Sequence, residues 1–338
     1  MRKIVIVGSG SIARRHLAAA RIAYPKCEIM ILRRFKSAID FPKVEHMVYS
    51  MEEVQEFEPE LAIIATPASE HIKTARAFTE RKTPLLIEKP ISSSIDGVSD
   101  FLKFCKQQGN FLRTGYNLRH LDSLQVFRQM CIDEVKGRVL SVHSTVGQYL
   151  PDWRPEQDYR KGVSAQAKLG GGVLFELSHE IDYILWVFGD VQWVRATLAT
   201  KSELELDVED SAHLTLGIEQ KYSENTLIAT LNMDFIRRDS IRECQAVCEF
   251  GTIKWDGLEN QISIYDSSLN KWISAYTGRV SMVQTYEEQL KVIGKDLQLT
   301  KEETKIELNG LRVLEVIEAS RKSAPTGLQT QVIKTVIG

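Results

Sequence analysis

Short apolar runs alternate with amphipathic segments through the first third of the chain. Ile4 to Val7, Glu28 to Leu32, Leu61 to Ala65, Leu85 to Ile87 and Phe111 to Thr114 are short and nearly continuous, the signature of strands buried on both faces. Ile12 to Ala23, Met51 to Phe57, Glu70 to Arg81 and Ser94 to Gln108 instead read as helices. Strand and helix in alternation predict βαβ units and a doubly wound parallel sheet. After Arg119 the period shortens to two: Val139 to Val146, Val191 to Thr200, Ala212 to Ile218, Asn225 to Phe235, Glu243 to Phe250, Gly251 to Trp255 and Gln261 to Tyr265 read as successive strands. Turns such as Asp256-Gly257 favour antiparallel pairing, and a helix over Leu174 to Phe188 would cover one face of a large open sheet. Met282 to Ile293 and Gly310 to Lys322 complete the pattern as helices. The chain thus reads as an α/β domain over 1–119 followed by an α+β domain over 120–338, with the C-terminal helix packing back on the first.

Composition narrows the class of function. A chain of 338 residues, 43% hydrophobic and 26% charged, is ordinary for a two-domain globular protein. Its net charge of -2 gives no reason to expect nucleic acid or an anionic membrane as partner, which leaves small-molecule chemistry. Cys27, Cys105, Cys131, Cys244 and Cys248 are scattered and form no Cys-x-x-Cys pair, so a reducing, cytoplasmic setting is expected. Cys244 and Cys248 sit in a segment that alternates like a strand, with no nearby histidine to complete a ligand set, and no metal site is expected. The apolar run after Arg2 and Lys3 is too short for a signal-peptide core, and no stretch reaches membrane-spanning length.

The first strand runs into Gly8-Ser9-Gly10-Ser11-Ile12-Ala13, a Gly-x-Gly-x-x-Ala turn opening a helix. Such a turn brings backbone amides and a helix N-terminus against a pyrophosphate, and in a βαβ context it predicts a Rossmann domain binding a dinucleotide. An acid at the end of the second strand would grip a ribose 2′-hydroxyl, but the chain has Arg33, Arg34 and Lys36 there. Cations suit a 2′-phosphate, so NADP(H) is the expected cofactor, with NAD(H) as the alternative. Thr66 and Pro67 follow the strand ending at Ala65 and form a lip over the nucleotide. His71, heading the next helix, is a candidate cofactor contact, with helix capping or solvent exposure as competing roles. The run Leu85-Leu86-Ile87 ends in Glu88-Lys89-Pro90, and ligands sit at the carboxyl ends of strands in open parallel sheets. Lys89 should therefore face the cofactor, with Glu88 beside it.

Together with Ala65-Thr66-Pro67, Gly115-Tyr116-Asn117-Leu118-Arg119 and the run Gly170-Gly171-Gly172-Val173-Leu174-Phe175-Glu176-Leu177-Ser178-His179-Glu180-Ile181-Asp182, these motifs resemble the glucose-fructose oxidoreductase, inositol dehydrogenase and MocA (Gfo/Idh/MocA) family over nearly the whole chain. The resemblance implies NAD(P)-linked oxidation or reduction of sugars and cyclitols, a substrate-binding second domain that often mediates oligomerisation, and hence a homodimer or homotetramer. It assigns Lys89 and His179 places around the reacting carbinol, and Asn117 and Arg119 to the cofactor and the substrate. Glu176 stands where the family more often has aspartate, three residues before His179 rather than four. At helical spacing Glu176, His179 and Asp182 or Tyr183 would share one face. The segment Gly147 to Pro155 with Asp158-Tyr159-Arg160 resembles members from bacterial surface-glycan and sialic-acid-like sugar pathways. Physically, Tyr149, Trp153, Arg154 and Tyr159 offer stacking faces and a fork-shaped cation suited to a sugar carboxylate or phosphate, or else close a small core.

Hydride transfer needs a carbinol carbon ~3 to 3.5 Å from the nicotinamide while a base takes the hydroxyl proton. His179 is favoured as the proton-transferring group and Lys89 as the group that orients and polarises the oxygen, with the reverse assignment open. Among the remaining histidines only His120, next to Arg119, invites a test. Two other classes compete: a nucleotide-binding regulator, which would be expected to lack the acid/base pair, and a glycosidase that uses tightly held NAD for transient oxidation.

Overall fold

The computed structural model describes residues 1–34, 41, 44–219, 225–299 and 306–337. It divides into two compact units, one of residues 1–120, 282–311 and 336–338 and one of residues 121–281 and 312–335. The chain beyond 120 is therefore shared between both units.

In the first unit six strands form a fully parallel sheet: β1 (Lys3–Val7), β2 (Glu28–Leu32), β3 (His46–Val48), β4 (Leu61–Ile64), β5 (Leu85–Ile87) and β6 (Leu112–Thr114), in the order β3-β2-β1-β4-β5-β6. The strand order reverses between β1 and β4, and a ligand crevice opens at the carboxyl edge at such a point. Connecting helices are α1 (Ser11–Ala23), α2 (Met51–Phe57), α3 (His71–Thr79) and α4 (Val98–Gln107). Strand β3 escaped the sequence pattern because His46-Met47-Val48 opens on an exposed polar residue and so shows no continuous apolar run. Helix α2 starts on a capping box, Ser50 and Glu53 satisfying each other's amides. Strands β4, β5 and β6 are buried throughout, and in β4 and β5 this goes with continuous apolar runs. Helix α8 (Gln284–Leu299) lays Tyr286, Leu290 and Ile293 into the same core as Ile4, Ile6 and Ala13. The Tyr24 hydroxyl fastens it by donating to the Leu290 carbonyl at 2.9 Å.

In the second unit nine strands form one mixed sheet. Its strands are β7 (Val139–Gly147), β8 (Val191–Ala199), β9 (Ser211–Ile218), β10 (Leu227–Asp234), β11 (Ile241–Cys248), β12 (Gly251–Asp256), β13 (Gln261–Asp266), β14 (Lys271–Thr277) and the two-residue β15 (Thr330–Gln331). All pairings are antiparallel except β7 with β10. The turn at Asp256-Gly257 joins β12 to β13 as an antiparallel pair. Helix α5 (Asp122–Ile132), whose pattern the sequence reading passed over, packs on β12, with Trp255 Nε1 donating to Ser123 Oγ at 2.8 Å. Strand β14 was passed over too: five of its first six positions are exposed, so it lacks an alternating apolar face.

The expected continuous helix from Leu174 to Phe188 is two helices, α6 (Val173–Glu176) and α7 (His179–Phe188), with Leu177 and Ser178 between them. This corrects the single face proposed for Glu176, His179 and Tyr183. Tyr183 is fully buried, stacked edge-on against Trp255 and hydrogen-bonded to Ser144, and burial pushes its hydroxyl well up. Helix α9 (Asn309–Ser323) contains the boundary at which the chain passes between units. Among the described residues, no helix is long and apolar enough to cross a membrane.

Candidate active site

The glycine turn is built as a dinucleotide cradle requires. Gly8 has φ +122°, and a Cβ there would lie 2.5 Å from the Ala65 carbonyl oxygen, so only glycine lets the turn press against the end of β4. Gly10 precedes α1 in extended conformation with no side-chain cap, which leaves the amides of the first turn to be claimed by an anion. A Cβ at Gly10 would meet nothing within 4 Å among the described residues, and Ala13 is fully buried where helix and strand approach. Ser11 is exposed and Ser9 partly exposed in this turn, whereas Ile12 packs against the core. Thr66 adds a buried hydroxyl with no hydrogen-bond partner among the described residues. Open space, uncapped amides and an unspent hydroxyl fit a pyrophosphate-bearing nucleotide at the sheet's switch point.

Cations follow β2, as the sequence suggested. Arg33 is only 4% exposed, places Nη1 3.6 Å from Met47 Sδ and lies over the Phe41 ring, 5.9 Å from its centroid. Arg34 is exposed, and Lys36 lies outside the described residues. Arg14, which the sequence reading passed over, covers the same Phe41 ring at 4.6 Å. Its place one residue past the Gly-x-Gly-x-x-Ala turn was the available signal.

At the end of β5, Glu88 and Lys89 have different fates. The Glu88 side chain is buried: Oε1 is 2.5 Å from His16 Nε2, and Oε2 accepts from the Lys89 amide at 3.1 Å. Gly115 makes room for that carboxyl group, since a Cβ there would sit 2.9 Å from it. Lys89 is partly exposed and precedes Pro90 through a cis peptide. His71 is 1% exposed, and its Nδ1 and Nε2 lie 2.9 and 2.8 Å from the carbonyl oxygens of Pro90 and Thr66. Burial lowers its pKa, opposed by these carbonyls and by Glu88. Its nitrogens are thus engaged with backbone rather than exposed to solvent. Asn117 is buried and donates to Thr285 Oγ1 at 2.6 Å, tying the segment after β6 to the start of α8. Arg119 and His120 follow, half-buried, and burial and the Arg119 charge lower the His120 pKa to about 4.

In the second unit a cavity of about 350 Å³ is lined by Leu150, Trp153, Arg154, Tyr159, Lys161 and Ser164 among others. Ser164 Oγ donates to Glu176 Oε2 at 2.8 Å, which links that acid to the cavity wall. Trp153 is half structural, its indole packed edge-on against Phe235 and its Nε1 donating to the Gln148 carbonyl. Arg154 is exposed, and the Tyr159 hydroxyl accepts from the Glu205 amide. Tyr149 does not line this cavity; the Arg238 guanidinium stacks on its ring, 3.4 Å from the centroid.

The glycine run before α6 is structural. Gly170 is left-handed, a Cβ on Gly171 would lie 2.3 Å from the Val163 carbonyl oxygen, and Gly172 has φ +104° against the Glu209 carboxylate. After the break at Leu177 and Ser178, His179 emerges, partly exposed, as the first residue of α7. Behind it Glu180, fully buried, is paired at 2.8 Å with Arg242. All five cysteines are buried free thiols, and among the described residues no group of three or more His, Cys, Asp or Glu is placed to hold a metal.

Two family profiles match this chain. Residues 2–116 match the oxidoreductase family with NAD-binding Rossmann fold, and residues 124–254 match the GFO/IDH/MocA C-terminal domain. Among curated relatives, the 2,7-anhydro-N-acetylneuraminate hydratase of Escherichia coli is 26% identical over 129 residues, 38% of this chain and 33% of its own length. The chain thus spans a third of that relative. Glucose-6-phosphate 3-dehydrogenase of Bacillus subtilis is 25% identical over 244 residues, covering 67% of each protein. The WlbA dehydrogenase of Bordetella pertussis, solved with NADH and UDP-GlcNAcA, superposes with a TM-score of 0.79 at 19% identity over 99% of both chains, a likeness of fold. With an NAD-binding Rossmann sheet, a mostly antiparallel second sheet, and profiles spanning most of the sequence, the chain belongs to the Gfo/Idh/MocA oxidoreductase family.

Proposed function

We propose that this protein is an NAD(P)-dependent dehydrogenase or reductase acting on a secondary hydroxyl or ketone of a sugar, sugar acid or cyclitol. The observation that carries this reading is in the first unit. An uncapped glycine turn after β1 and Lys89 after β5 occupy the same carboxyl edge of one parallel sheet, with only β4 between their strands. A nicotinamide held there would supply a hydride acceptor or donor. The amides of Gly10 to Ala13 bind the nucleotide's phosphates, and the Thr66 hydroxyl is free to donate to it. His179 takes the hydroxyl proton on oxidation and returns it on reduction, and the Lys89 ammonium orients and polarises the oxygen; the converse division of labour makes the same demand on both residues.

The finer reading is preference for NADP(H). It is supported by Arg33 and Arg34 after β2 and by Arg14, and by the absence of an acid at residues 33 and 34. Arg154 and Lys161 on one cavity wall, beside the rings of Trp153 and Tyr159, support an acidic sugar of the kind found in bacterial surface glycans. The test is a screen of free and nucleotide-linked acidic sugars against NADP and NAD, following reduced-nicotinamide absorbance. Turnover of free cofactor with a lower KM for NADP is expected. A clear preference for NAD would sink the NADP reading. Glycoside cleavage with cofactor retained through purification and no net reduction would replace the dehydrogenase with the glycosidase.

A further inference from the structure

We propose that two buried histidines, His16 and His71, are positioning residues for Lys89, gripping the turn that carries it from both of its ends. The inference rests on the reading that Lys89 acts in the reaction, and it concerns how that lysine is held. His16 lies on α1, just past the glycine turn, and its Nε2 meets the Glu88 carboxylate at 2.5 Å. The other oxygen of that carboxylate accepts from the backbone amide of Lys89 itself. The His16 ring is fully buried and backed edge-on by Tyr286 of α8, with centroids 5.3 Å apart, so the grip has a rigid wall behind it.

His71 acts on the far side of the lysine. Its ring spans two loops at the carboxyl edge, the Pro90 carbonyl after β5 and the Thr66 carbonyl after β4. A neutral imidazole has a single N–H and so satisfies one of the two carbonyls, whereas the doubly protonated ring satisfies both. In either state the ring is wedged between the loops on which Thr66 and Lys89 are carried. Gly8 closes the chain of contacts by pressing on the Ala65 carbonyl. The glycine turn, the Thr66-Pro67 lip and the lysine are thereby joined through close contacts. Buried polar groups in such a network stay put only while every partner is present. Neither histidine touches the reacting groups in this scheme; each acts through Glu88 or the backbone.

The test reads Lys89 directly and needs no substrate. Trace acetylation with acetic anhydride, quantified by peptide mass spectrometry, compares Lys89 with the exposed Lys161 and Lys271 as internal references. His16→Leu and His71→Leu are each expected to change the Lys89 ratio while the reference lysines keep theirs. His16→Gln, whose amide can still donate to Glu88, should bring the ratio back toward that of the unaltered protein. If a leucine variant fails to fold, His16→Asn or His71→Asn takes its place, since the shorter amide cannot reach the same partner. A Lys89 ratio unchanged in the folded variants of both histidines overturns the proposal. Once a substrate is in hand, kcat of His16→Leu should fall ~10-fold to 10²-fold with the cofactor dissociation constant little altered. Because the labelling is independent of turnover, failure to find a substrate would count against the dehydrogenase reading and leave this result standing.

Discussion

The turn that carries Lys89 and the helix start that carries His179 hold their side chains by different physics. Around Lys89 the holding groups are polar and directional: a carboxylate on an imidazole, and an imidazole between two carbonyls. His179 instead begins a helix with Ile181, Tyr183 and Ile184 buried in it and the buried Glu180 paired with Arg242. A strand-end turn has few side chains to pack and must be held through its backbone groups, whereas a helix presents a whole apolar face. Removing a donor should therefore disturb the first region, and removing volume or charge pairing the second.

The largest expected effect tests the second region. Arg242→Met leaves Glu180 buried without its charged partner and should cost about 3 to 5 kcal/mol of stability in denaturant unfolding. A loss below about 1 kcal/mol would show that packing alone seats α7. Lys89→Met and His179→Asn should each lower kcat by ~10²-fold or more at unchanged melting temperature. Loss of cofactor binding in Lys89→Met, rather than of kcat, would place that side chain against the nicotinamide.

A third measurement probes the polar interior of the first unit. The pKa of His120 is lowered to about 4, first by burial and then by the Arg119 charge, while the unfolded chain titrates near 6.5. The unfolded state binds the extra proton first, so this contribution to stability is complete above pH 6.5 and is lost progressively as pH falls toward 4. His120→Gln should flatten the stability profile in that window, and an unchanged slope would remove His120 as its source. The smallest effect is on cofactor choice. Arg34→Asp should shift the ratio of KM values for NADP and NAD by about tenfold toward NAD, the worth of one charge-assisted contact.

Much of the first region was legible in the sequence. Five short apolar runs located five of its six strands, and the Gly-x-Gly-x-x-Ala turn and Glu-Lys-Pro stood at strand ends where a parallel sheet places ligands. The role of His71 was not legible, because a histidine at a helix start looks the same whether it faces solvent or bridges two carbonyls 5 and 19 residues away. Glu88 was expected beside the cofactor, yet its carboxyl oxygens engage His16, 72 residues earlier, and the next backbone amide. In the second region helical spacing predicted one continuous face from Glu176 to Tyr183. The break at Leu177 and Ser178 divides that face, and Tyr183 turns into the core.

What the sequence determined by itself were local quantities: periodicity, turn chemistry, the cofactor motif and the residue types available for acid and base work. These depend on neighbours a few positions apart, so they survive reading in one dimension. Tertiary structure alone decided that Arg33 is buried, that Glu88 belongs to a histidine on α1, that His71 lies between two loops, and that Ser164 links Glu176 to the cavity wall. Each is a contact between residues brought together by strand order or loop packing, and burial then decides whether a polar group is spent on structure or kept for a ligand.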